Sequence, residues 1–249
     1  MVETSKEMAT IRPVISANYG KTSAQYIMFV EYWLTVVVMI FWNKPFYDYM
    51  FEGNWWFIII VPLSIYGILF QFTFLTLLQS FIVWKILCII EPPKEGEFDI
   101  PGREFRYYCL RFWIQYYSIC MARAMPLPWV DMICFRLFGC KIGKNVVLYD
   151  SWIDMEFVEI GDYVMLSLNA SLNSHCIYHD KFLVKRIVVN KNAIVGAEAI
   201  VAPGTVLEEG AILGAASSTH IDQRLEPYLI HIGNPAKLKL PIKVVEDES

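Results

Sequence analysis

Between Val189 and Ser218 the sequence repeats itself every six residues: Val189-Asn-Lys-Asn-Ala193-Ile, Val195-Gly-Ala-Glu-Ala199-Ile, Val201-Ala-Pro-Gly-Thr205-Val, Leu207-Glu-Glu-Gly-Ala211-Ile and Leu213-Gly-Ala-Ala-Ser217-Ser. An aliphatic residue opens each unit, and Ala, Thr or Ser holds its fifth place. Self-similarity this short marks a β-helix, with each hexad forming one face of a three-sided coil. Openers one full coil apart then stack along the axis, so Val189 is expected against Leu207 and Val195 against Leu213. The small fifth residue fits the narrow corner, and Gly, Asn or Asp near the turn tolerates a positive φ that a β-branched residue resists. A looser copy runs ahead through Ile142, Leu148, Ile160, Leu166 and Leu172, giving three to four coils in all. No single hexad buries its own face, so stability comes from coil on coil. The hand of the coil does not follow from the period.

The rest of the chain is of another kind. Hydrophobic residues make up 56% and aromatics 15%, against 18% charged, a balance that places part of the protein against lipid. Thr22 to Asn43 carries one charge, Glu31, and is long enough to cross a hydrocarbon layer of about 30 Å as a helix. A short loop with Asp48 and Glu52 follows, and Gly53 to Trp84 has no charge at all. That second run exceeds one crossing, so it tilts, breaks near Pro62 or continues along the membrane surface. Trp42, Trp55, Trp56 and Trp84, with Tyr26, Tyr47 and Tyr49, sit where interfacial aromatics belong. Lys6, Arg12 and Lys21 precede the first span, only Lys44 lies in the connection, and Lys85, Lys94, Arg103 and Arg106 follow the second. By the basic-residue rule the protein is integral to a membrane with two spans, and both termini and the β-helix are cytoplasmic. Glu31 inside a span is a functional candidate, or it pairs with Gln71 or Gln79 across the hairpin.

Glu91-Pro92-Pro93 ends the second span, because proline removes a donor and restricts its predecessor. Glu104 to Phe138 is amphipathic and rich in aromatics, and reads as two helices lying on the membrane or plugging the open end of the solenoid. The expected organisation is an N-terminal segment over 1–21, a transmembrane helical hairpin over 22–90, interfacial helices over 91–139, a β-helix over 140–240 and a mobile acidic tail over 241–249. Residues 1–20 lack the apolar core and cleavage site of a signal peptide. The net charge of −4 offers no footprint for nucleic acid. The six cysteines show no paired spacing and read as small buried hydrophobes.

The rhythm fails after Leu172, where Asn173-Ser174-His175-Cys176-Ile177-Tyr178-His179-Asp180-Lys181-Phe182-Leu183-Val184-Lys185-Arg186 intervenes before Val189. An excursion from a regular coil is where a solenoid carries function. His175 and His179 are both candidate bases, Asp180 a candidate to orient either, and Lys181, Lys185 and Arg186 either steer an anion or form a solvated basic loop. The chain leaves the repeat after Ser218 and passes Gly233-Asn-Pro-Ala-Lys237.

Together with Arg136-Leu-Phe-Gly-Cys-Lys-Ile-Gly143 and Val158-Glu-Ile-Gly-Asp162, these features resemble the hexapeptide-repeat acyltransferases over about residues 136–240. The spans ahead make the whole chain similar, more loosely, to membrane-embedded transferase-like modules at the C-terminal end of some peptide synthetases. The resemblance implies a left-handed parallel β-helix, a homotrimer with active sites between neighbouring β-helices, and acyl-CoA or a phosphopantetheine carrier as donor. It implies no tightly bound cofactor and no metal, with His175 as general base and Gly214, Ala215, Gly233 and Lys237 lining the donor cleft. An imidazole suits that task because its pKa near 6.5 leaves it largely neutral at cytoplasmic pH. The acceptor would be a hydroxyl or amine on an amphiphilic or membrane-delivered molecule, with membrane lipid as a further partner. One departure stands out: the family's acceptor-holding asparagine, counted back from Ile160, falls on Tyr149-Asp150. Two other readings are open, a non-catalytic trimeric scaffold and a zinc hydratase of the carbonic-anhydrase type, which needs three converging histidines. His220 and His231 read as structural.

Overall fold

The computed structural model describes residues 21–52, 60–125, 127 and 129–242. The N-terminal segment, Trp55, Trp56 and the acidic tail lie outside the described residues.

Two long helices come first, α1 (Lys21–Phe51) and α2 (Val61–Ile90), both long and apolar enough to cross a membrane. α1 absorbs the stretch expected as a loop, running through Pro45 to Phe51. A proline inside a helix removes one intrahelical donor, and nearby Asn43 turns its Nδ2 back to the Met39 carbonyl at 2.8 Å and across to Gln71 Oε1 at 2.9 Å. Pro62 lies in the first turn of α2, where no helical partner is lost. Glu31 pairs with neither Gln71 nor Gln79; Ser80 donates to its Oε2 at 2.7 Å.

The two aromatic helices are α3 (Arg103–Arg123) and α4 (Val130–Leu137). α3 lies against both α1 and α2. Trp84 of α2 meets Phe138, just past α4, with ring centroids 5.5 Å apart. Phe135, Phe138, Cys140 and Val146 continue that packing into the first coil, so one hydrophobic core runs from the helices into the solenoid.

The solenoid has three faces of parallel strands. Ile142, Ile160, Val189, Leu207 and Leu225 run down the first. Leu148, Leu166, Val195, Leu213 and His231 run down the second, and Ile153, Leu172 and Val201 down the third. The pairing therefore continues past Ser218, through Arg224–Leu225 and Leu229–Gly233, before Ala236–Pro241 turns back antiparallel. A histidine in an opener's place hid this last coil from the hexad pattern. His231 is buried, its Nε2 3.1 Å from the Glu226 carbonyl. Corners take a left-handed residue in register: Asn145, Tyr163, Asn192, Gly210 and Tyr228 share one column, and Asn169, Glu198 and Ala216 another. None is β-branched, because a branched Cβ crowds that backbone, but Tyr, Glu and Ala are accepted beside the expected Gly, Asn and Asp.

The excursion is a β-hairpin, His175–Tyr178 with Lys181–Val184. The strand Gly96–Asp99, just beyond α2, adds to it antiparallel. Asp99 pairs with Lys181 at 2.6 Å and Glu95 with Arg186 at 2.9 Å, so the segment leaving α2 clamps the break in the coil.

The opener columns carry the stability. Leu207→Ala, at a side chain with no exposure and partners above and below, is expected to cost about 2–5 kcal/mol in urea unfolding. Ile200→Ala, on an outward position, should stay within about 0.5 kcal/mol. Equal losses would contradict the assignment of inward and outward positions.

Candidate active site

His175 begins the hairpin as the chain leaves the third face at Leu172. Directly beneath, the first coil ends its third-face strand at Ile153, and Asp154 follows with its amide bonded to the Leu172 carbonyl at 3.1 Å. The Asp154 Oδ2 atom accepts from the Ser174 amide at 2.7 Å, from the Ser174 hydroxyl at 2.9 Å and from His175 Nδ1 at 2.6 Å. With three donors it is the anchor of the site. The Tyr108 hydroxyl, from α3, stands 2.8 Å from the same Nδ1. The carboxylate at the shorter distance accepts the hydrogen bond from Nδ1–H, which leaves Nε2 as the basic nitrogen. Burial pulls the imidazolium down, but the hydrogen bond to Asp154 and its charge outweigh this, and the His175 pKa is raised above the usual 6.5. Burial, with the charges of Asp154 and Glu156, pushes Tyr108 well above the usual 10, so it stays a neutral phenol.

A cavity of about 200 Å³ opens beside this pair, between α3 and the first two coils. Phe112, Tyr116, Ile119, Phe135, Trp152 and Met155 make most of its wall. Gln115, Arg123, Asn173 and His175 supply polar atoms. Tyr116 stacks on Trp152 at 5.7 Å between centroids, and the Arg123 guanidinium lies over Trp152 at 5.1 Å. The floor is held by Glu156, whose Oε1 accepts from Arg111 Nε at 2.8 Å, Trp84 Nε1 at 2.7 Å and Gln115 Nε2 at 3.0 Å. The arrangement offers an imidazole whose proton is held on Nδ1 by Asp154, leaving Nε2 free to accept one, on the wall of an amphiphilic chamber, which suits proton abstraction from a bound hydroxyl or amine.

The other sequence candidates lie elsewhere. His179 and Asp180 form the exposed tip of the hairpin, His179 at φ 53°. Asp154 rather than Asp180 bonds His175. Lys185 pairs with Asp222, and Lys181 and Arg186 with the strand after α2. Tyr149 is exposed and Asp150 pairs with Arg123 at 3.1 Å, so the residue on the coil below His175 is Asp154. Gly214 and Ala215 open the corner between the second and third faces, one corner away from His175. There the Gly214 amide donates to the His231 carbonyl at 2.8 Å and the Gly233 amide to Ser217 Oγ at 3.1 Å. Lys237 is exposed on the returning strand. None of these four lines the cavity at His175. Among the described residues no group of three His, Cys, Asp or Glu stands ready to hold a metal.

Sequence reasoning missed Asp154, Ser174 and Tyr108. Asp154 follows Ile153 as Asn173 follows Leu172, a correspondence that the strand register reveals and the six-residue count, which passes over Ile153, does not. Nothing in the aromatic run of α3 singles out Tyr108.

Comparison with known proteins bears on this geometry. No protein-family model matches the chain. Over 127 residues it is 28% identical to a protein of Escherichia coli K12 named for acetyl transfer in colanic acid biosynthesis, covering 41% of this chain and 69% of that one. Its relatives are acyltransferases. A second, the dTDP-4-amino-4,6-dideoxy-D-glucose acyltransferase of Escherichia coli, is 29% identical over 107 residues, 37% of this chain and 55% of the relative, little more than half its length. Among solved structures, a maltose O-acetyltransferase from Clostridium difficile 630 shares 16% identity with a TM-score of 0.46, over 60% of this chain and 94% of that one. The curated relatives are thus named for acetyl and acyl transfer, and acyl transfer is the enzyme class they support.

Asp154→Asn tests the electrostatics. The change removes the charge and leaves at most a neutral acceptor at Nδ1 against burial, so the ring's titration midpoint should fall. NMR of histidine-labelled protein reads this, and an unmoved midpoint would mean Asp154 does not govern the ring.

Proposed function

We propose that this protein is a membrane-anchored acyltransferase that moves an acyl group from acyl-CoA, or from a phosphopantetheine carrier, to a hydroxyl or amine of an amphiphilic acceptor. The observation that carries the reading is the Asp154-held His175 at the end of an amphiphilic cavity. Nε2 of His175 takes the acceptor's proton as its oxygen or nitrogen attacks the thioester carbonyl carbon. The tetrahedral intermediate collapses with cleavage of the carbon–sulfur bond. The thiolate leaves and receives the proton from the imidazolium, giving a free thiol and an ester or amide. Asp154 keeps the ring turned and favours the imidazolium while it exists. Tyr108 is a second neutral partner at Nδ1.

The wall of Phe112, Tyr116, Ile119 and Trp152 favours an acceptor with an apolar body. Two helices long and apolar enough to span a bilayer support delivery of that acceptor from the membrane. A second chamber of about 380 Å³, between α2 and α4 and lined by Phe70, Phe74, Leu77, Phe81, Trp129 and Ile133, suits contact with lipid. The distribution of basic residues supports termini and β-helix on the cytoplasmic side, where soluble donors are found. Because the donor-lining candidates Gly214, Ala215 and Gly233 sit at a different corner from His175, one chain does not bring both halves together. A neighbouring copy would, which favours a homotrimer of left-handed β-helices like that of the family it resembles.

Purified protein given radiolabelled acyl-CoA and membrane extract should transfer label. His175→Ala is expected to lower the rate about 10²–10⁴-fold with little change in melting temperature. Undiminished transfer would remove His175 from the role.

A further inference from the structure

Tyr108 does not line the cavity beside His175, yet its hydroxyl stands 2.8 Å from His175 Nδ1. Its ring is fixed by packing. It meets Phe182 at 4.7 Å between centroids and stacks on Phe112 at 6.3 Å, and both of those rings also face the imidazole at 5.9 Å. One turn further along α3, Arg111 is paired with Glu156 at 2.8 Å, which holds the helix over the first coil. The Tyr108 hydroxyl has a second partner in the side chain of Ser174, a residue with no exposure.

The protons around these atoms follow from counting donors. Ser174 gives its one hydroxyl proton to Asp154 Oδ2 at 2.9 Å, so toward Tyr108 its oxygen can only accept. Nδ1 of His175 carries a proton, because a bare lone pair 2.6 Å from a carboxylate oxygen would be repelled. It is therefore closed to the phenol's hydrogen. The Tyr108 O–H donates to Ser174, and its oxygen turns a lone pair to Nδ1–H. Four groups close a ring in which Tyr108 donates to Ser174, Ser174 to Asp154, and Nδ1–H is shared between Asp154 and Tyr108. Each bond in such a ring polarises the next. We infer that Tyr108 is a positioning residue for His175, acting with Ser174 as one unit to keep Nδ1–H on Asp154 and Nε2 as the accepting nitrogen. Its effect on rate rests on the acyl-transfer reading; the ring of hydrogen bonds does not. Because α3 also lies against α1 and α2, the phenol links the two long helices to the imidazole.

The test compares Y108F, S174A and the double variant, each as the full chain in detergent with radiolabelled acyl-CoA and membrane extract. Phenylalanine keeps the aromatic packing, so the melting temperature of Y108F should stay within about 4 °C of wild type. Its rate at saturating acyl-CoA should fall about tenfold with KM unchanged. S174A should lose about as much, and the double variant about tenfold as well, not the roughly hundredfold of independent groups. Exchange of Nδ1–H with water, read by NMR on isotope-labelled histidine and assigned by its loss in His175→Ala, should be about tenfold faster in Y108F. Should Y108F fail to fold, S174A takes its place in both measurements, since it removes the acceptor of the Tyr108 proton and leaves every ring where it is. An unchanged rate in Y108F, losses that multiply in the double variant, or unchanged exchange of Nδ1–H would each overturn the role. Transfer that survives His175→Ala would instead remove the acyl-transfer reading, and the exchange measurement would then decide the ring alone.

Discussion

The buried ion pair of Arg111 and Glu156 is the joint on which the molecule turns. Both side chains are almost wholly enclosed, at 3% and 5% exposure, where an unpaired charge would be ruinous and even a paired one needs its remaining valences met. Here three donors converge on Glu156 Oε1, while its Oε2 is buried without a hydrogen bond. Trp84 reaches Glu156 from α2, Gln115 and Arg111 from α3, and Arg111 also donates to the Glu91 carbonyl at the end of α2. Glu156 itself belongs to the short 3-10 turn Met155–Phe157 that closes the first coil. Two helices and a solenoid are thus locked through one carboxylate, two residues from Asp154.

The site follows from that lock. With α3 fixed over the first coil, Tyr108 lands on Nδ1 of His175, and Phe112, Tyr116 and Ile119 roof the chamber. From the other side the strand after α2 clamps the hairpin that begins at His175. His175 is therefore held between two elements that follow α2 in the chain, so that the helix long enough to cross a membrane is mechanically continuous with the candidate site.

How much of this the sequence disclosed depended on distance along the chain. The opener columns were legible because a six-residue period is local: Val189 on Leu207 and Val195 on Leu213 follow from counting. His175 was legible as a break in that count. Asp154 was not, because the irregular coil holding the 3-10 turn puts it 21 residues upstream, off the eighteen-residue spacing that leads instead toward Phe157. Tyr108 lies 67 residues from His175, in a helix whose packing no local pattern encodes. His231 concealed the last coil by filling an aliphatic position with a histidine, and the charges of Asp48 and Glu52 suggested a loop where α1 runs on to Phe51.

The most direct test is a structure of the full chain with CoA bound. If the break in the hexads is the transfer site, the pantetheine sulfur should lie in the chamber beside Nε2 of His175, between the imidazole and the aromatic wall of α3. A sulfur seated at any other corner of the solenoid, out of reach of His175, would contradict it.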